Sequence, residues 1–267
     1  MKREKDVFIF MITELTKKQI AEIKSLYTKH GRKKSPFCVV EGVRACEEIF
    51  NRCRNLIEYV VISGDYHGRS NVPTDVKSFI VKNSLFNALA GTVSSQGILA
   101  IVKVPEENIQ VVKDDFIVAL DRIGDPGNFG TICRTVKSAN LNHLWYTKGS
   151  VDPYNDKVIR SAMAAQFLLN LREFENLEEL RKEAVRQGFN NICLSKPASG
   201  SSCFTTEGIY DKSIMVIGSE GQGVSDLSGA IDIKIPMPGN FESLNAAQAA
   251  TILIFEYVRR KEANLKL

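Results

Sequence analysis

The sequence predicts an α/β protein in two parts: a small α/β domain followed by a larger one built on a parallel sheet. Three observations carry this. Apolar runs of strand length alternate along the chain with segments of helical period. In the second part those runs, such as FIVAL (116–120) and SIMVIGS (213–219), are apolar almost throughout, as in strands covered on both faces. Between the parts, PEENIQVVKDD (105–115) is polar and breaks the pattern. The boundary is placed there, dividing 1–106 from 107–267.

The opening MKREKDVFIFMITEL has a basic start and a short apolar part, without a small-residue cleavage site, and reads as a leading strand or arm rather than a signal peptide. LTKKQIAEIKSLYTKHG has apolar residues at Leu15, Ile20, Ile23 and Leu26 or Tyr27, and predicts one helix stopped by Gly31. FCVVEG (37–42) is a strand, VRACEEIFNRC (43–53) a helix and IEYVVISG (57–64) a strand. VKSFIVKNSLFNALAG (76–91) gives a strand or turn and then a short helix, and GILAIVKV (97–104) a strand closed by Pro105. After FIVAL a helix is expected over 129–139, then strand NHLWYT (142–147) and helix YNDKVIRSAMAAQF (154–167). LEELRKEAVRQG (177–188) is an amphipathic helix, NNICLS (190–195) a strand and IDIKIPM (231–237) a last short strand. A long helix over 243–263 closes the chain. There is no internal repeat and no low-complexity segment.

No apolar run in the sequence is long enough to cross a bilayer. Six cysteines form no CxxC pair, which predicts reduced thiols and a cytoplasmic protein. His30, His67 and His143 are scattered, so neither a histidine-based nucleophile nor a metal site is expected. Residues 1–110 carry 17 Lys and Arg against 12 Asp and Glu, whereas 111–267 carry 18 against 19. The excess gathers at KHGRKKS (29–35), either a phosphate-attracting patch or a solvated loop.

Three strand-to-turn stretches carry chemistry. In FIVALDRIGDPGNFGTICRT the strand enters a glycine turn and then a helix. It is neither a P-loop nor a dinucleotide fingerprint, since its glycines run GxxGxxG and no Gly-Lys-Ser/Thr follows. Asn128 is expected to cap that helix, with Phe129, Ile132, Val136 and Ala139 as its apolar stripe. Arg134 lies about 200° around from Ile132 at roughly 100° per residue, facing away from the core, either as a surface charge or as a bidentate phosphate ligand. In MVIGSEGQGVSD, Gly218, Gly221 and Gly223 surround Glu220, a carboxylate for a hydroxyl, an amine or an arginine. In IKIPMPGNFESLNAAQAATILIFE, Ser243 is the expected helix cap. Leu244, Ala247, Thr251, Ile254 and Val258 form a stripe of small and apolar residues open to close approach by another element, a second subunit among the possibilities.

Together, NFGTICRT, IGSEGQG and IPMPGNFESLNAAQAA resemble, in order and spacing, the three motifs of the SpoU (TrmH-like) RNA 2′-O-ribose methyltransferases of the SPOUT class. DPYNDKVIRSAM is similar to that family's intermediate segment. Ala246 and Ala247 depart from the more usual Val-Ser, at positions without catalytic groups. VVEGVRACEEI and VSSQGILAIV are similar to the L30e-like substrate-binding domain common in the family.

The resemblance implies a Rossmann-like parallel sheet with a deep C-terminal trefoil knot, a homodimer with its site near the subunit interface, and S-adenosylmethionine as cofactor. By position it implies Leu194, Ser195, Gly218, Ile235, Met237 and Leu244 as the cofactor pocket, and Asn128, Arg134, Glu220, Ser243 and Asn245 as the catalytic set. Arginine is a poor base, its pKa lying above about 12. Arg134 is therefore expected to hold the phosphate beside the reacting ribose, and either to activate the hydroxyl or to let the phosphate relay its proton. Asn128 would orient Arg134 or the ribose, Glu220 would hold the network, and Ser243 and Asn245 would complete it. The expected substrate is 23S rRNA, with tRNA as the alternative. Of another class are a non-catalytic RNA-binding protein of this fold, which the intact polar set argues against, and a nucleotide-dependent oxidoreductase, which the missing GxGxxG argues against.

Overall fold

The computed structural model describes residues 14–107, 112–239 and 242–265, with the side chains of 264 and 265 undescribed; most of the expected leading arm lies outside them. The chain divides into two compact units. One takes in residues up to Pro105 together with Tyr154–Ala164, and the other Glu106–Pro153 with Ala165–Leu267.

In the first unit, α1 (Lys17–Leu26) opens with a capping box between Thr16 and Gln19. The single helix expected over 15–31 is broken at Tyr27 and Thr28. Thr28 Oγ1 accepts from Gly31 N at 3.0 Å and starts α2 (Lys29–Lys33). Gly31 is therefore no stop signal: a Cβ there would lie 2.0 Å from Ser25 O, and only glycine lets the chain fold back so tightly. The basic cluster is helical rather than a loop, and its Arg32 is turned inward, donating to Leu26 O at 2.9 Å, while Lys29, Lys33 and Lys34 stay exposed.

Strand β1 (Phe37–Glu41), helix α3 (Val43–Arg52), strands β2 (Ile57–Ser63) and β3 (Ser78–Val81), helix α4 (Asn83–Leu89) and strand β4 (Ile98–Lys103) follow. The sheet order is β1-β4-β2-β3, with β4 antiparallel to both neighbours and β2 parallel to β3. Ile23, Leu26, Val39, Val61, Phe86 and Leu99 make its core. The buried Glu41 accepts from Tyr27 Oη at 2.9 Å, Gly91 N at 2.8 Å and Thr92 Oγ1, pinning the loop after α4. Burial first, and then Glu41, push the Tyr27 hydroxyl far above its usual range, so it stays a donor.

The second unit has seven strands: β5 (Phe116–Asp121), β6 (His143–Thr147), β7 (Asn170–Phe174), β8 (Asn191–Ser195), β9 (Ser201–Ser202), β10 (Ser213–Gly218) and β11 (Ile231–Lys234). Their order is β7-β6-β5-β10-β8-β11-β9, and every pairing is parallel. Its helices are α5 (Pro126–Ser138), α7 (Leu177–Arg186) and α8 (Ala246–Leu265). All six residues of β5 are buried, which is why the run FIVAL is apolar on both faces. Burying a side chain such as Ile117 contributes about 1.5–3 kcal/mol.

Strands β7 and β9 were not foreseen: β7 is largely half-buried and carries Arg172 and Glu173, and β9 is two serines. The helix expected over 154–167 is short. α6 (Asp156–Ala162) ends where Met163 and Ala164 take left-handed conformations (φ 51° and 62°), and a 3₁₀ turn over Ala165–Leu168 follows. The small-residue stripe on α8 is met by α5 of the same chain, with Thr135 Oγ1 and Thr251 Oγ1 3.5 Å apart. No described helix is long and apolar enough to cross a membrane.

The chain lays down β5, β6 and β7 in one direction across the sheet, then returns to place β8 and β10 on the other side of β5. The order thus reverses between β5 and β10. In open parallel sheets the crevice beyond the carboxyl ends at such a point is where ligands bind.

Candidate active site

Beyond that reversal, β10 ends level with β5, Gly218 lying opposite Asp121. The chain then turns tightly: Gly223 N donates to Ser219 O at 2.8 Å. A Cβ on Gly218 would lie 2.2 Å from the Gly223 carbonyl carbon, so this position must be glycine. The turn lifts Glu220 to its exposed tip.

Helix α5 begins earlier than expected. Asp125 is its cap, accepting from Asn128 N at 2.7 Å, and Pro126 stands in the first turn. Asn128 is therefore not the cap, and its side chain is left free. Its Nδ2 donates to Glu220 Oε1 at 3.0 Å. Helix α8 is capped by Asn245 rather than by Ser243: Asn245 Oδ1 accepts from Ala247 N at 3.0 Å and Gln248 N at 3.3 Å. That fixes the amide's orientation and aims its Nδ2 at Asn128 Oδ1, 3.0 Å away, and at Glu220 Oε1. Ala246 N also points at Glu220 Oε1, at 3.4 Å.

One carboxylate oxygen thus gathers donors from the starts of α5 and α8, while Glu220 Oε2 has no partner among the described residues. Asn128, Glu220 and Asn245, one from each glycine-turn stretch, form a closed polar network. The other two expected members lie outside it. Ser243 is exposed ahead of α8, and Arg134 is exposed on α5 with no ion pair or hydrogen bond among the described residues.

Four of the six expected cofactor residues fall on or next to neighbouring strand ends, with Met237 two residues beyond Ile235 and Leu244 just ahead of α8. Leu194 and Ser195 close β8, Gly218 closes β10, and Ile235 follows β11. In the sheet β8 lies between β10 and β11, with Val216 and Asp232 opposite Leu194. Leu194 and Ile235 are buried, Met237 and Leu244 half-buried. Apolar side chains beside backbone donors and acceptors are what an adenine ring needs.

Several supports were not anticipated. The buried Asp121 (2 % exposed) accepts from Thr147 Oγ1 at 2.8 Å and from Ser225 N at 2.8 Å, tying β5 to β6 and to the turn that carries Glu220. An acid closing an otherwise apolar run was the available signal for it, and Asp-Pro at 125–126 was the signal for the true cap. The six cysteines are free and buried. Burial pushes the Cys203 thiol up to about 11 and Cys193 to about 12, so neither is a nucleophile at neutral pH. Among the described residues no group of His, Cys, Asp and Glu could hold a metal ion.

Residues 115–255 match the model of the SpoU rRNA Methylase family, and residues 17–100 that of the MRM3-like substrate binding domain. The 23S rRNA (guanosine(2553)-2′-O)-methyltransferase RlmP of Bacillus subtilis is 26% identical over 245 residues, covering 89% of this chain and 94% of that protein. Among solved structures, a TrmH-family protein from Porphyromonas gingivalis is 27% identical with a TM-score of 0.79, over 93% of this chain and all of that one. The SpoU methyltransferase AviRb from Streptomyces viridochromogenes, determined in complex with AdoMet, shares the fold (22% identity, TM-score 0.77, covering 92% of this chain and 99% of that one). Since the SpoU model takes in more than half of the chain and all the residues that meet at Glu220, this protein belongs to the SpoU rRNA methylase family.

Proposed function

We propose that the protein transfers the methyl group of S-adenosylmethionine to a ribose 2′-hydroxyl of ribosomal RNA, with 23S rRNA as its substrate. The observation that carries this is the Asn128–Glu220–Asn245 network beside three adjacent strand ends at the reversal of the sheet. RlmP, similar over nearly its whole length, is a 23S rRNA 2′-O-methyltransferase by name.

Bound in the slot made by Leu194, Ser195, Gly218, Ile235, Met237 and Leu244, the cofactor supplies a methyl group already activated on a sulfonium. The chain's residues have two tasks: to align the hydroxyl and to provide for its proton. Glu220 Oε2, without a partner among the described residues, accepts from the ribose hydroxyl, while Oε1 is saturated by the two asparagines and Ala246 N. Asn128 and Asn245 keep that carboxylate in one orientation. Arg134, with no ion pair or hydrogen bond among the described residues, holds the phosphate next to the reacting ribose, and Ser243 completes the cofactor side. The first unit selects the RNA. A cytoplasmic homodimer with the site near its interface, a domain division at 106/107 and threading of the C-terminal segment as a trefoil knot belong to the same reading.

The test is methyl transfer from labelled S-adenosylmethionine into rRNA and tRNA from cells lacking the gene, followed by nucleoside analysis. Label in one 2′-O-methyl nucleoside of 23S rRNA is expected; label in tRNA alone would displace the substrate, and none in either would sink the reading. Arg134→Ala is expected to lower kcat by about 10²-fold or more, as for loss of one aimed donor, with cofactor affinity unchanged. Turnover within threefold of the parent would remove Arg134 from its role.

A further inference from the structure

A cavity of about 480 Å³ opens beside Glu220. Its described lining includes Arg122, Ile123, Asp125 and Gly149, with Asn128 and the 219–222 turn as the wall shared with the catalytic network. None of the six expected cofactor residues lines it. We infer that this cavity receives the base of the nucleotide whose ribose is methylated, and that Arg122 is the group that binds it. The inference rests on the ribose methyltransferase reading above and adds to it the place of the target base.

Arg122 is held in an unusual way. Its backbone is left-handed (φ 56°), a conformation uncommon for a long side chain. Its N–H donates to Thr147 Oγ1 at 3.1 Å, which fixes it to the end of β6. Its stem lies against Gly149, where a Cβ would come within 3.1 Å of Arg122 Cγ. Nη2 donates to the buried Asp121 at 3.3 Å. Nε is shielded from solvent and has no partner among the described residues. A buried donor without an acceptor costs about 1–3 kcal/mol. A side chain fixed at backbone, stem and one nitrogen holds its guanidinium in one orientation at the cavity wall.

The lining selects the kind of ligand. Asp125 and Glu220 place two carboxylates around the mouth, which disfavours an anionic phosphate. A neutral planar group carrying both donors and acceptors fits, and the volume lies within the roughly 300–1,000 Å³ of small-molecule sites. RNA offers such a group as a base splayed out of a loop, and its ribose then lies at the shared wall, next to Glu220. A guanidinium pairs best with a base edge that presents two acceptors, as the O6/N7 edge of guanine does.

The experiment uses the full chain, labelled S-adenosylmethionine and a synthetic RNA hairpin spanning the methylated nucleotide located by nucleoside mapping. A second hairpin keeps the target ribose but lacks its base. Arg122→Ala and base removal are each expected to lower kcat/KM about 5–150-fold, the worth of one bidentate base contact. Combined, they are expected to lower it no further than either alone, with cofactor affinity unchanged. Arg122→Lys, which keeps the charge but not the fork, is expected to behave like Arg122→Ala. Losses that multiply in the combination, or an Arg122→Ala chain as active as the parent, would overturn the base site while leaving ribose methylation standing. A parent chain that methylates no RNA overturns both.

Discussion

At the scale of single residues, the site separates two jobs that short polar side chains often combine. Asp125 caps α5, so Asn128, three positions later, is released to hold Glu220. The two substitutions should therefore part company. Asn128→Ala should change the urea midpoint by less than about 0.5 kcal/mol in stability and lower single-turnover methyl transfer by about 10²-fold. Asp125→Ala should cost about 1 kcal/mol of stability, the ordinary worth of a cap, whatever it does to turnover. An Asn128→Ala chain that is destabilised by more than that and still fully active would return Asn128 to a structural role. On α8 one residue does both jobs: Asn245 caps with its oxygen and reaches the network with its nitrogen. No side chain with a single polar atom could replace it.

At the scale of elements, the amino ends of β5, β6 and β7 are fastened by a cluster remote from the reaction. Asp114 takes a hydrogen bond from Asn142 N at 2.8 Å and lies 2.8 Å from His143 Nδ1, while His143 Nε2 meets Asn170 Nδ2 at 3.2 Å. Burial alone would raise the Asp114 pKa, but the bonds from His143 and Asn142 outweigh it and hold the carboxyl below its ordinary value. A carboxyl depressed on folding stabilises the fold at pH values above the unfolded pKa of about 3.9, and that contribution drains away as pH falls toward the folded pKa. Asp114→Asn should accordingly lower Tm at pH 7, and the gap to the parent should close as pH drops below about 4. A gap independent of pH would mean that packing, not charge, is what the substitution removes.

Elements also explain what could be read from the sequence. The central strands β5, β8 and β10 announce themselves because both faces are buried, so their residues are apolar regardless of register. Strands β7 and β9, at the two edges of the sheet, lack that pressure and carry no such signal. The starts of α5 and α8 were misplaced because several residues near each could cap, and only the fold decides which is at hand. The break between α1 and α2 rests on a contact between Gly31 and Ser25 O that helical periodicity does not encode. Of the expected catalytic set, three residues converge, since the sheet order places β5 beside β10 and α8 starts next to both; no spacing along the chain states that order. Asp121 and Arg122 went unnoticed because their roles come from partners on β6 and on the turn after β10.

At the scale of the whole molecule, the charge is unevenly placed, and the structure changes what that unevenness can do. The basic excess lies in residues 1–110, and its densest cluster is KHGRKKS. Within it Arg32 is buried and bonded to Leu26 O, so it supports the α1–α2 corner and offers nothing to a phosphate. Lys29, Lys33 and Lys34 remain exposed. If that face meets RNA, each lysine seated on a phosphate releases counterions, and log K falls with log salt by about 0.7–0.9 per contact. Replacing Lys33 and Lys34 together with alanine should flatten the salt slope of rRNA binding by about 1.4–1.8 and leave Tm where it was, because neither side chain is buried. Arg32→Ala should do the reverse, lowering Tm with the slope unchanged. Filter binding from low to moderate salt, with a thermal melt of each variant, reads both quantities. A slope unmoved by the lysine pair would make the cluster a solvated face and put RNA selection elsewhere on the first unit.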